Sequence, residues 1–582
     1  MGNCVHCRLS LLAARVYSAA MIRRLALTVA LLCMLPSILA AAPAHRPPKL
    51  IVQITIDALR GDLVDRFSSV LGKGGFGYLI HHGLHFDNAH YQHANTETIV
   101  GHTSLATGAL PSAHGMVANV WFDRERGRLV YNIEDSRYHL LTADADVDQQ
   151  REIDPTQKTA RVDGRSPANI LTSTFSDELA IHTNGGAKIF AVSVKDRAAV
   201  SMAGHAGKAF WFSKAKGAFV TSSYYYRAMP SWAQHWNSRH LPKRYAGKSW
   251  QLLYQPARYQ FGQQDDQPFE TALPGFGRTF PHPYGQPTDK YFTTFLTLSP
   301  AGDALTLDFA KALIHAEQLG QDDVTDYLSI SFSSTDYVGH IFSASSLESE
   351  DNLAHLDRTL ADLFAYLDRT VGLDRTLIVL SADHGQPEAP GYLQSLGMGN
   401  ARYFDLAGLD KSTAISAIKR RFHLNKPLIK AYFHPYIYLD HQLIRKHGLA
   451  LAEVEDAVAA ELLKFDGIAY AVSSQRRGQL PDDRISRLVR NNFHANRSGD
   501  IYVVFAPNVF INHFDHLTVS SVHGSPWRYD TFVPIYFAGN GLTAAVIHRP
   551  VTPYAIAPTL SALIHAAPPS AAIGEPLVEV LR

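Results

Sequence analysis

Four short apolar runs, each ending at a charged residue, predict neighbouring strands of one sheet. Residues Leu50 to Ile56 are apolar and largely β-branched, and Asp57 follows them directly. A continuous apolar run of this length is typical of a strand buried on both faces. Three further runs have the same character: 189–194 leads into Lys195, 327–333 into Asp336, and 377–380 into Asp383.

An amphipathic helix is predicted between the last two runs. Leucine and phenylalanine recur at helical spacing from Leu353 to Leu367, and Ser345-Ser346-Leu347-Glu348 ahead of them has the form of a capping box. Strand, helix and strand in this order predict an α/β fold with a central, mainly parallel sheet and helices on both faces. Because ligands bind where the carboxyl ends of such strands converge, the charged residues after the four runs are expected to be neighbours.

Two stretches interrupt the pattern and are predicted to be insertions over this edge of the sheet. Residues 206–300 are dense in aromatic residues, Pro and Gly with little periodicity, which predicts an irregular cap. Residues 401–500 hold a predicted strand at 430–433, a helix at 451–463 and a second strand at 468–472. These elements indicate a small α+β insertion.

The core is accordingly predicted in three parts, at 45–205, 301–400 and 501–582. Its sheet is expected to resume with strands at 501–505 and 533–537. Proline has no backbone N–H to donate, so Pro534 restricts the second of these strands to an edge of the sheet or to a position where the proline opens the strand.

The composition excludes several classes of protein. The chain has 582 residues, of which 46% are hydrophobic and 18% are charged, which fits a large globular protein and not a disordered or collagen-like one. The 54 Lys and Arg residues nearly balance the 53 Asp and Glu residues. We therefore predict no nucleic-acid partner.

Residues 1–44 predict a signal peptide, with Met21 as an alternative start. A basic segment at Met21 precedes an apolar run from Leu25 to Ala40 and then small residues suited to cleavage. A membrane anchor is the competing interpretation, but the run is shorter than the ~20 residues needed to span a bilayer. Cleavage would give a periplasmic or secreted protein with no stable membrane association. All three cysteines lie in this segment, so any metal in the mature chain must be held by His, Asp or Glu.

Six acids and histidines near the predicted strand ends form a candidate ligand set for metal. Zn²⁺ takes three or four nitrogen or oxygen ligands, so six of them suit two zinc ions in one dinuclear site. Each residue taken alone is better explained as an ordinary turn former, a helix cap or an exposed side chain, and only their occurrence together at independent strand ends favours a metal site. The set comprises Asp57, Asp336, His340, Asp383, His384 and His523.

A hydroxyl nucleophile is predicted close to these ligands. The segment from Ala94 to Thr103 precedes a helix-like run that ends at Thr107-Gly108, which would place a threonine hydroxyl near a helix N-terminus, where backbone N–H groups attract anions. On the local pattern alone, ordinary capping by Thr98 or Thr103 is the favoured interpretation. Thr96 is a second hydroxyl within reach.

The order of these motifs resembles that of the alkaline phosphatase superfamily. Further motifs are similar to the periplasmic, zinc-dependent, single-threonine (PafA-type) alkaline phosphatases, and the resemblance covers nearly all of residues 48–578. The superfamily motifs are Asp57, Thr98-x-x-Gly101-His102, Asp336-x-x-x-His340, Asp383-His384-Gly385 and Val522-His523-Gly524. The further motifs are Asn119 before Trp121 and Ser193-x-Lys195-Asp196-Arg197.

The resemblance implies an alkaline-phosphatase-like fold and a role for each motif. One zinc would be held by Asp57, Asp383 and His384, with Thr98 as nucleophile and fourth ligand. The second would be held by Asp336, His340 and His523, and Asn119, Lys195 and Arg197 would form a phosphate clamp. The implied activity is hydrolysis of small-molecule phosphate monoesters of broad range through a phosphothreonine intermediate.

Alternative functions remain open at this point. The nucleotide pyrophosphatase and phosphodiesterase branch of the superfamily also has a threonine and two zinc ions, but a diester makes poor use of a lysine and arginine pair. A sulfatase is less favoured because its cysteine or serine nucleophile motif is absent. A non-catalytic exported protein that binds metal or phosphate is the alternative from another class.

Overall fold

A computed structural model describes residues 47–405, 409–511, 513–514 and 517–582. The predicted signal peptide at 1–44 lies outside the described residues. The strands of the two larger sheets are, in chain order, β1 (Leu50–Ile56), β2 (Gly83–His90), β3 (Ile189–Ser193), β4 (Lys208–Ser213), β5 (Ala218–Val220), β6 (Asp326–Phe332), β7 (Thr376–Ser381), β8 (Ile429–Phe433), β9 (Tyr436–Leu439), β10 (Ile468–Ser473), β11 (Ile501–Phe505), β12 (Phe532–Gly539) and β13 (Ala545–Ile547).

The large sheet has nine strands in the order β13-β2-β12-β7-β1-β6-β3-β4-β5. Its pairings make β12 and β5 antiparallel to their neighbours, while the other seven strands run in one direction. Every residue of β1, β6 and β7 is buried. Because successive side chains of a strand point to opposite faces, both faces of the sheet centre are covered. The predicted α/β fold is confirmed.

Helices flank this sheet. Those of eight residues or more in the described ranges are α1 (Thr98–Thr107), α2 (Phe175–His182), α3 (Asp196–Ala203), α4 (Ser231–Ser238), α5 (Pro300–Glu317), α6 (Ser334–Phe342), α7 (Leu347–Thr370), α8 (Thr413–Arg421), α9 (Leu451–Leu462), α10 (Arg484–Asn492) and α11 (Ile556–Leu563). None of them combines the length and apolar character that crossing a bilayer requires.

The predicted amphipathic helix is α7, but the predicted capping box is out of register by one residue. The N-cap is Ser346, whose hydroxyl accepts the backbone N–H of Ser349 at 3.0 Å. Glu348 therefore cannot be the box partner, and its side chain is buried in the first turn.

Two predictions about the last core strands are wrong. The strand at 501–505 does not resume the large sheet, because β11 lies inside a separate antiparallel sheet of order β8-β9-β11-β10. β12 is an interior strand in spite of Pro534. The proline is tolerated because β2 bulges opposite it between Phe86 and Ala89, and β7 pairs only as far as Ile535.

The two predicted insertions contain different kinds of structure. Residues 208–220 of the aromatic stretch add β4 and β5 to one side of the large sheet, and α4 follows before a long irregular part. The stretch 401–500 contributes β8, β9 and β10 of the small sheet together with α8, α9 and α10. The boundaries drawn for these regions stay predictions.

Helix α1 is held against the carboxyl end of β7 by a glycine contact. A Cβ atom placed on Gly101 would lie 1.9 Å from the backbone oxygen of Asp383. Only a residue without a side chain permits this approach. The start of α1 and the residues that follow β7 are therefore fixed relative to each other.

We expect Gly101→Ala to lower the free energy of unfolding by about 1–3 kcal/mol, because the added methyl must push two backbone segments apart. Denaturant unfolding of the variant beside the parent protein measures this. Gly478→Ala is the matched control, since a Cβ there meets nothing within 4 Å. Equal unfolding midpoints for the two variants would contradict the packing argument.

Candidate functional site

The strands β7, β1, β6 and β3 are consecutive in the sheet, and the residues that follow their carboxyl ends meet. The Lys195 ammonium lies 2.7 Å from Asp57 Oδ2 and 2.5 Å from Asp336 Oδ2. These three residues are separated by up to 279 positions in the sequence, so the parallel arrangement brings them together as expected. All three are buried.

Asp57, Asp383 and His384 form the first group of side chains that can hold a metal ion. One ligand atom from each lies within 4.8 Å of the others. His384 Nε2 is 3.5 Å from Asp57 Oδ1 and 3.4 Å from Asp383 Oδ2. The structure thus brings together the three residues that the resemblance assigns to one cation.

Asp336, His340 and His523 form the second group, again with ligand atoms within 4.8 Å. Asp336 Oδ1 is 3.3 Å from His340 Nε2, one turn further along α6, and 3.2 Å from His523 Nε2. The rings of His523 and His384 stack with centroids 3.7 Å apart, so the two groups are direct neighbours.

Each of the three histidines presents Nε2 to its group. A backbone carbonyl can only accept a hydrogen bond, so the nitrogen beside it must carry the proton. In each ring that nitrogen is Nδ1, which donates to Ser521 from His340 at 2.7 Å, to Thr96 from His523 at 2.7 Å, and to Gly385 from His384 at 2.9 Å. Such bonds orient histidine ligands and leave the Nε2 lone pair for a metal.

The donor atoms fit divalent cations. Asp57 Oδ1 and His384 Nε2 are buried and have no hydrogen-bond partner among the described residues. Polar atoms that are buried in this way are costly unless something else binds them. Oxygen and imidazole donors without thiolate are a set that zinc accepts.

The pKa values of Asp57 and His384 in the first group are shifted by their burial. Burial raises the pKa of Asp57, and repulsion from the Asp383 carboxylate adds to the rise. Burial lowers the pKa of His384 to about 3, which keeps this imidazole neutral as ligation requires.

The second group is balanced mainly by charge pairing. Burial alone would raise the pKa of Asp336, but Lys195 and His340 hold it well below its ordinary value. Burial lowers the pKa of His523. The Asp336 carboxylate therefore stays ionised beside a histidine that favours its neutral form.

Thr98 is the first residue of α1, and two cations reach its hydroxyl. Lys195 Nζ and Arg197 Nη2 each lie 3.5 Å from Thr98 Oγ1. Thr96, the second hydroxyl considered, donates to the backbone oxygen of Ser525 at 3.0 Å. The geometry therefore distinguishes the two threonines.

Asn119 is fixed against the start of α1 by one hydrogen bond of its side chain and one of its backbone. Its Oδ1 accepts the Ile99 N–H at 3.2 Å, and its own N–H donates to Glu97 Oε2 at 2.6 Å. The side-chain nitrogen Nδ2 of Asn119 can then donate to another acceptor. Burial raises the pKa of Glu97 to about 7. Sequence reasoning missed Glu97, although it directly precedes Thr98.

Two further residues hold this constellation in place. Asp154, which sequence reasoning missed, accepts through Oδ2 from Arg197 Nη1 at 2.9 Å and fixes the guanidinium. His102, which the sequence motif named without giving it a role, has its Nδ1 3.0 Å from both the backbone oxygen of Thr98 and Asp383 Oδ2. Asp154 follows no predicted strand, so the strand-end pattern contained no signal for it.

A cavity of about 760 Å³ opens from this site. Its lining includes the second ligand group, Asp336, His340 and His523, together with Thr98, Asn119 and Arg197. The site is therefore accessible to a molecule considerably larger than a single small anion.

The sequence matches the type I phosphodiesterase / nucleotide pyrophosphatase family over residues 51–526. It is 34% identical to alkaline phosphatase PafA of Elizabethkingia meningoseptica, over 92% of this chain and 94% of that protein. It is 33% identical to alkaline phosphatase PhoV of Synechococcus elongatus, over 92% of this chain and 93% of that protein.

Solved structures agree. The crystal structure of wild-type alkaline phosphatase PafA superposes with a TM-score of 0.82 at 32% identity and covers 92% of this chain and 99% of its own. A PafA mutant in which a threonine, an asparagine, a lysine and an arginine are substituted gives a TM-score of 0.81 at 31% identity. The chain belongs to the type I phosphodiesterase / nucleotide pyrophosphatase family of the alkaline phosphatase superfamily, in which it is a PafA-type member.

Proposed function

We propose that this protein is a zinc-dependent hydrolase of small-molecule phosphate monoesters that uses Thr98 as its nucleophile. One observation carries the proposal. The Lys195 ammonium contacts a carboxylate of each ligand group and also approaches the Thr98 hydroxyl. Lys195 would thus link the nucleophile Thr98 to both cation sites. The relatives named alkaline phosphatase support the same activity.

The metal assignment follows the two ligand groups. Asp57, Asp383 and His384 would hold one zinc ion beside Thr98, and a second would be held by the other group of three. When bound, the two ions supply Lewis-acid stabilisation to the attacking hydroxyl and to the departing oxygen.

The chain's own residues position and stabilise the transferred group. The Thr98 hydroxyl loses its proton as its oxygen forms a bond to phosphorus, the bond from phosphorus to the ester oxygen breaks, and that oxygen takes up a proton and leaves as the alcohol. Water then cleaves the phosphothreonine and releases phosphate, so two in-line displacements give net retention. The Thr98 hydroxyl oxygen lies close to Lys195 and Arg197, and Asn119 contacts the start of α1. These three side chains would stabilise the anionic oxygens of the transferred phosphoryl group.

Arg197 favours monoesters over diesters. Its guanidinium offers a planar fork to two oxygens, while Lys195 acts as a point charge. A monoester presents three unsubstituted oxygens to this cluster, whereas a diester carries a second organic substituent on one of them. The family includes phosphodiesterases by name, so the diesterase is the alternative that the clamp argues against.

We further propose that the protein acts outside the cytoplasm on small phosphate monoesters. The apolar segment after Met21 supports export, and the cavity at the site supports a small-molecule ligand.

The purified protein is expected to contain two zinc ions per chain and to hydrolyse an aryl monophosphate far faster than the matching bis-aryl phosphate. Metal analysis and both rates, measured before and after chelation and after zinc is restored, test the proposal. Activity that survives complete metal removal would overturn the metal assignment. Metal binding without turnover of either ester would leave a binding protein in place of an enzyme.

We expect Thr98→Ala to abolish monoester hydrolysis while zinc content changes little, because three other side chains remain for that ion. Thr98→Ser keeps the oxygen and should retain measurable activity. Thr96→Ala is the matched control, since its hydroxyl is committed to Ser525. Turnover retained in Thr98→Ala and lost in Thr96→Ala would transfer the nucleophile to Thr96.

Arg197→Lys should reduce kcat/KM for the monoester by about 10²-fold and that for the diester by much less, because lysine keeps the charge and loses the fork. Arg165→Lys is the control, since Arg165 is also buried and paired with an acid, Asp196 at 2.9 Å, yet does not line the cavity. Equal losses on both esters in Arg197→Lys would contradict the clamp assignment.

A further inference from the structure

The cavity beyond the candidate site has a size and lining that phosphate recognition does not explain. Its volume of about 760 Å³ lies in the range of roughly 300–1,000 Å³ that organic ligands occupy. Only part of the lining is formed by the second ligand group, Thr98, Asn119 and Arg197. The remainder must accommodate whatever group the phosphate is attached to.

Two apolar walls enclose this remainder. One wall belongs to the core and includes Leu298, Ile341 and Val519. The opposite wall comes from the small sheet and its flanking segment, where Phe404 and Phe433 line the space. Both phenylalanines are only partly buried, which is consistent with rings that face the cavity.

The aromatic wall is a packed structure and not a set of separate side chains. Phe505 packs against Phe404 in a tilted arrangement with centroids 5.0 Å apart and stacks on the His434 ring at 5.5 Å. His434 Nε2 lies 3.2 Å from the Gly524 oxygen, next to the ligand His523. The small sheet is thereby attached directly to the loop that carries one of the metal ligands.

The charged residues of the cavity lining also disfavour a substrate with a second anionic group. Among the described residues that line the cavity, Arg197 is the only lysine or arginine, and the acids Glu97, Asp154, Asp336 and Asp405 are also present. Asp154 is paired with Arg197 and Asp336 with Lys195, so a second phosphate or carboxylate on the substrate would find no further lysine or arginine in this lining to pair with. Burying such an unpaired anion is unfavourable.

We propose, resting on the function proposed above, that this cavity binds the organic group of the ester and selects phosphate monoesters of apolar alcohols and phenols over those that carry a second anionic group. The small sheet with its segment at Phe404 supplies the selective wall. The insertion thus has a part in substrate choice while the core carries the chemistry.

The test uses a series of straight-chain alkyl monophosphates from ethyl to octyl, whose alcohols differ little in acidity. We expect kcat/KM to rise two- to four-fold per added methylene until the chain fills the cavity, the upper value matching the ~0.8 kcal/mol of a buried methylene. Hexane-1,6-diyl bisphosphate should be a poorer substrate than hexyl phosphate by at least ten-fold.

Phe404→Ser and Phe433→Ser should flatten the rise with chain length and leave kcat/KM for ethyl phosphate close to the parent value. Phe493→Ser is the matched control, because this partly buried ring packs over Arg477 in the same insertion and does not line the cavity. Its chain-length profile should match that of the parent protein.

A flat profile for the parent protein, or a profile unchanged in both cavity variants, would overturn the proposal while hydrolysis of ethyl phosphate still supports the enzyme. Loss of the rise in Phe493→Ser as well would attribute it to general destabilisation and would also overturn the cavity assignment. Failure of the zinc-loaded parent protein to hydrolyse any member of the series would instead reject the underlying phosphatase function.

Discussion

The repulsion among three buried carboxylates is the constraint on which the rest of the site depends. Asp57, Asp336 and Asp383 are fully or almost fully buried, and Asp383 and Asp336 both raise the pKa of Asp57 through their charges. The Lys195 ammonium pairs with two of them and cannot neutralise three. Stable burial of this much negative charge calls for further cations, and the histidines at the same place, of which burial favours the neutral form of His384 and His523, are ligands that would hold them.

The fold maintains this arrangement through contacts between backbone segments. Parallel strands bring the carboxylates to one edge, and carbonyl oxygens fix the ring orientation of each histidine. Gly101 lets α1 approach the end of β7, which sets Thr98 beside the ligands. Thr98 and the two groups of candidate metal ligands therefore cannot be displaced independently of each other.

The sequence predicted those parts of the site in which a charged residue directly follows an apolar strand. Asp57 and Asp383 follow apolar strands, so sheet topology predicted that they meet, and the family resemblance supplied the histidine assignments. Asp154 and Glu97 were missed because a buried acid in an irregular segment looks like any turn former until its partner is known. β11 was assigned to the wrong sheet because the sequence of an apolar strand does not specify which strands it pairs with. Pro534 led to the wrong prediction of an edge strand because the bulge in β2 that accommodates the proline could not be seen in the sequence.

Lys195 and Arg197 differ in a way that the sequence did not reveal, since they stand two residues apart in one motif. Lys195 is bonded between carboxylates of the two ligand groups, so removing it would change the charge balance of the cation sites as well as any contact with phosphate. Arg197 is held by Asp154, which belongs to neither ligand group. Under the proposed function, binding of the transferred phosphoryl group would therefore vary through Arg197 and Asn119 while the candidate cation sites stay intact, whereas Lys195 would couple the two. This coupling gives a physical reason why a monoester preference and a dinuclear site would occur together in one protein.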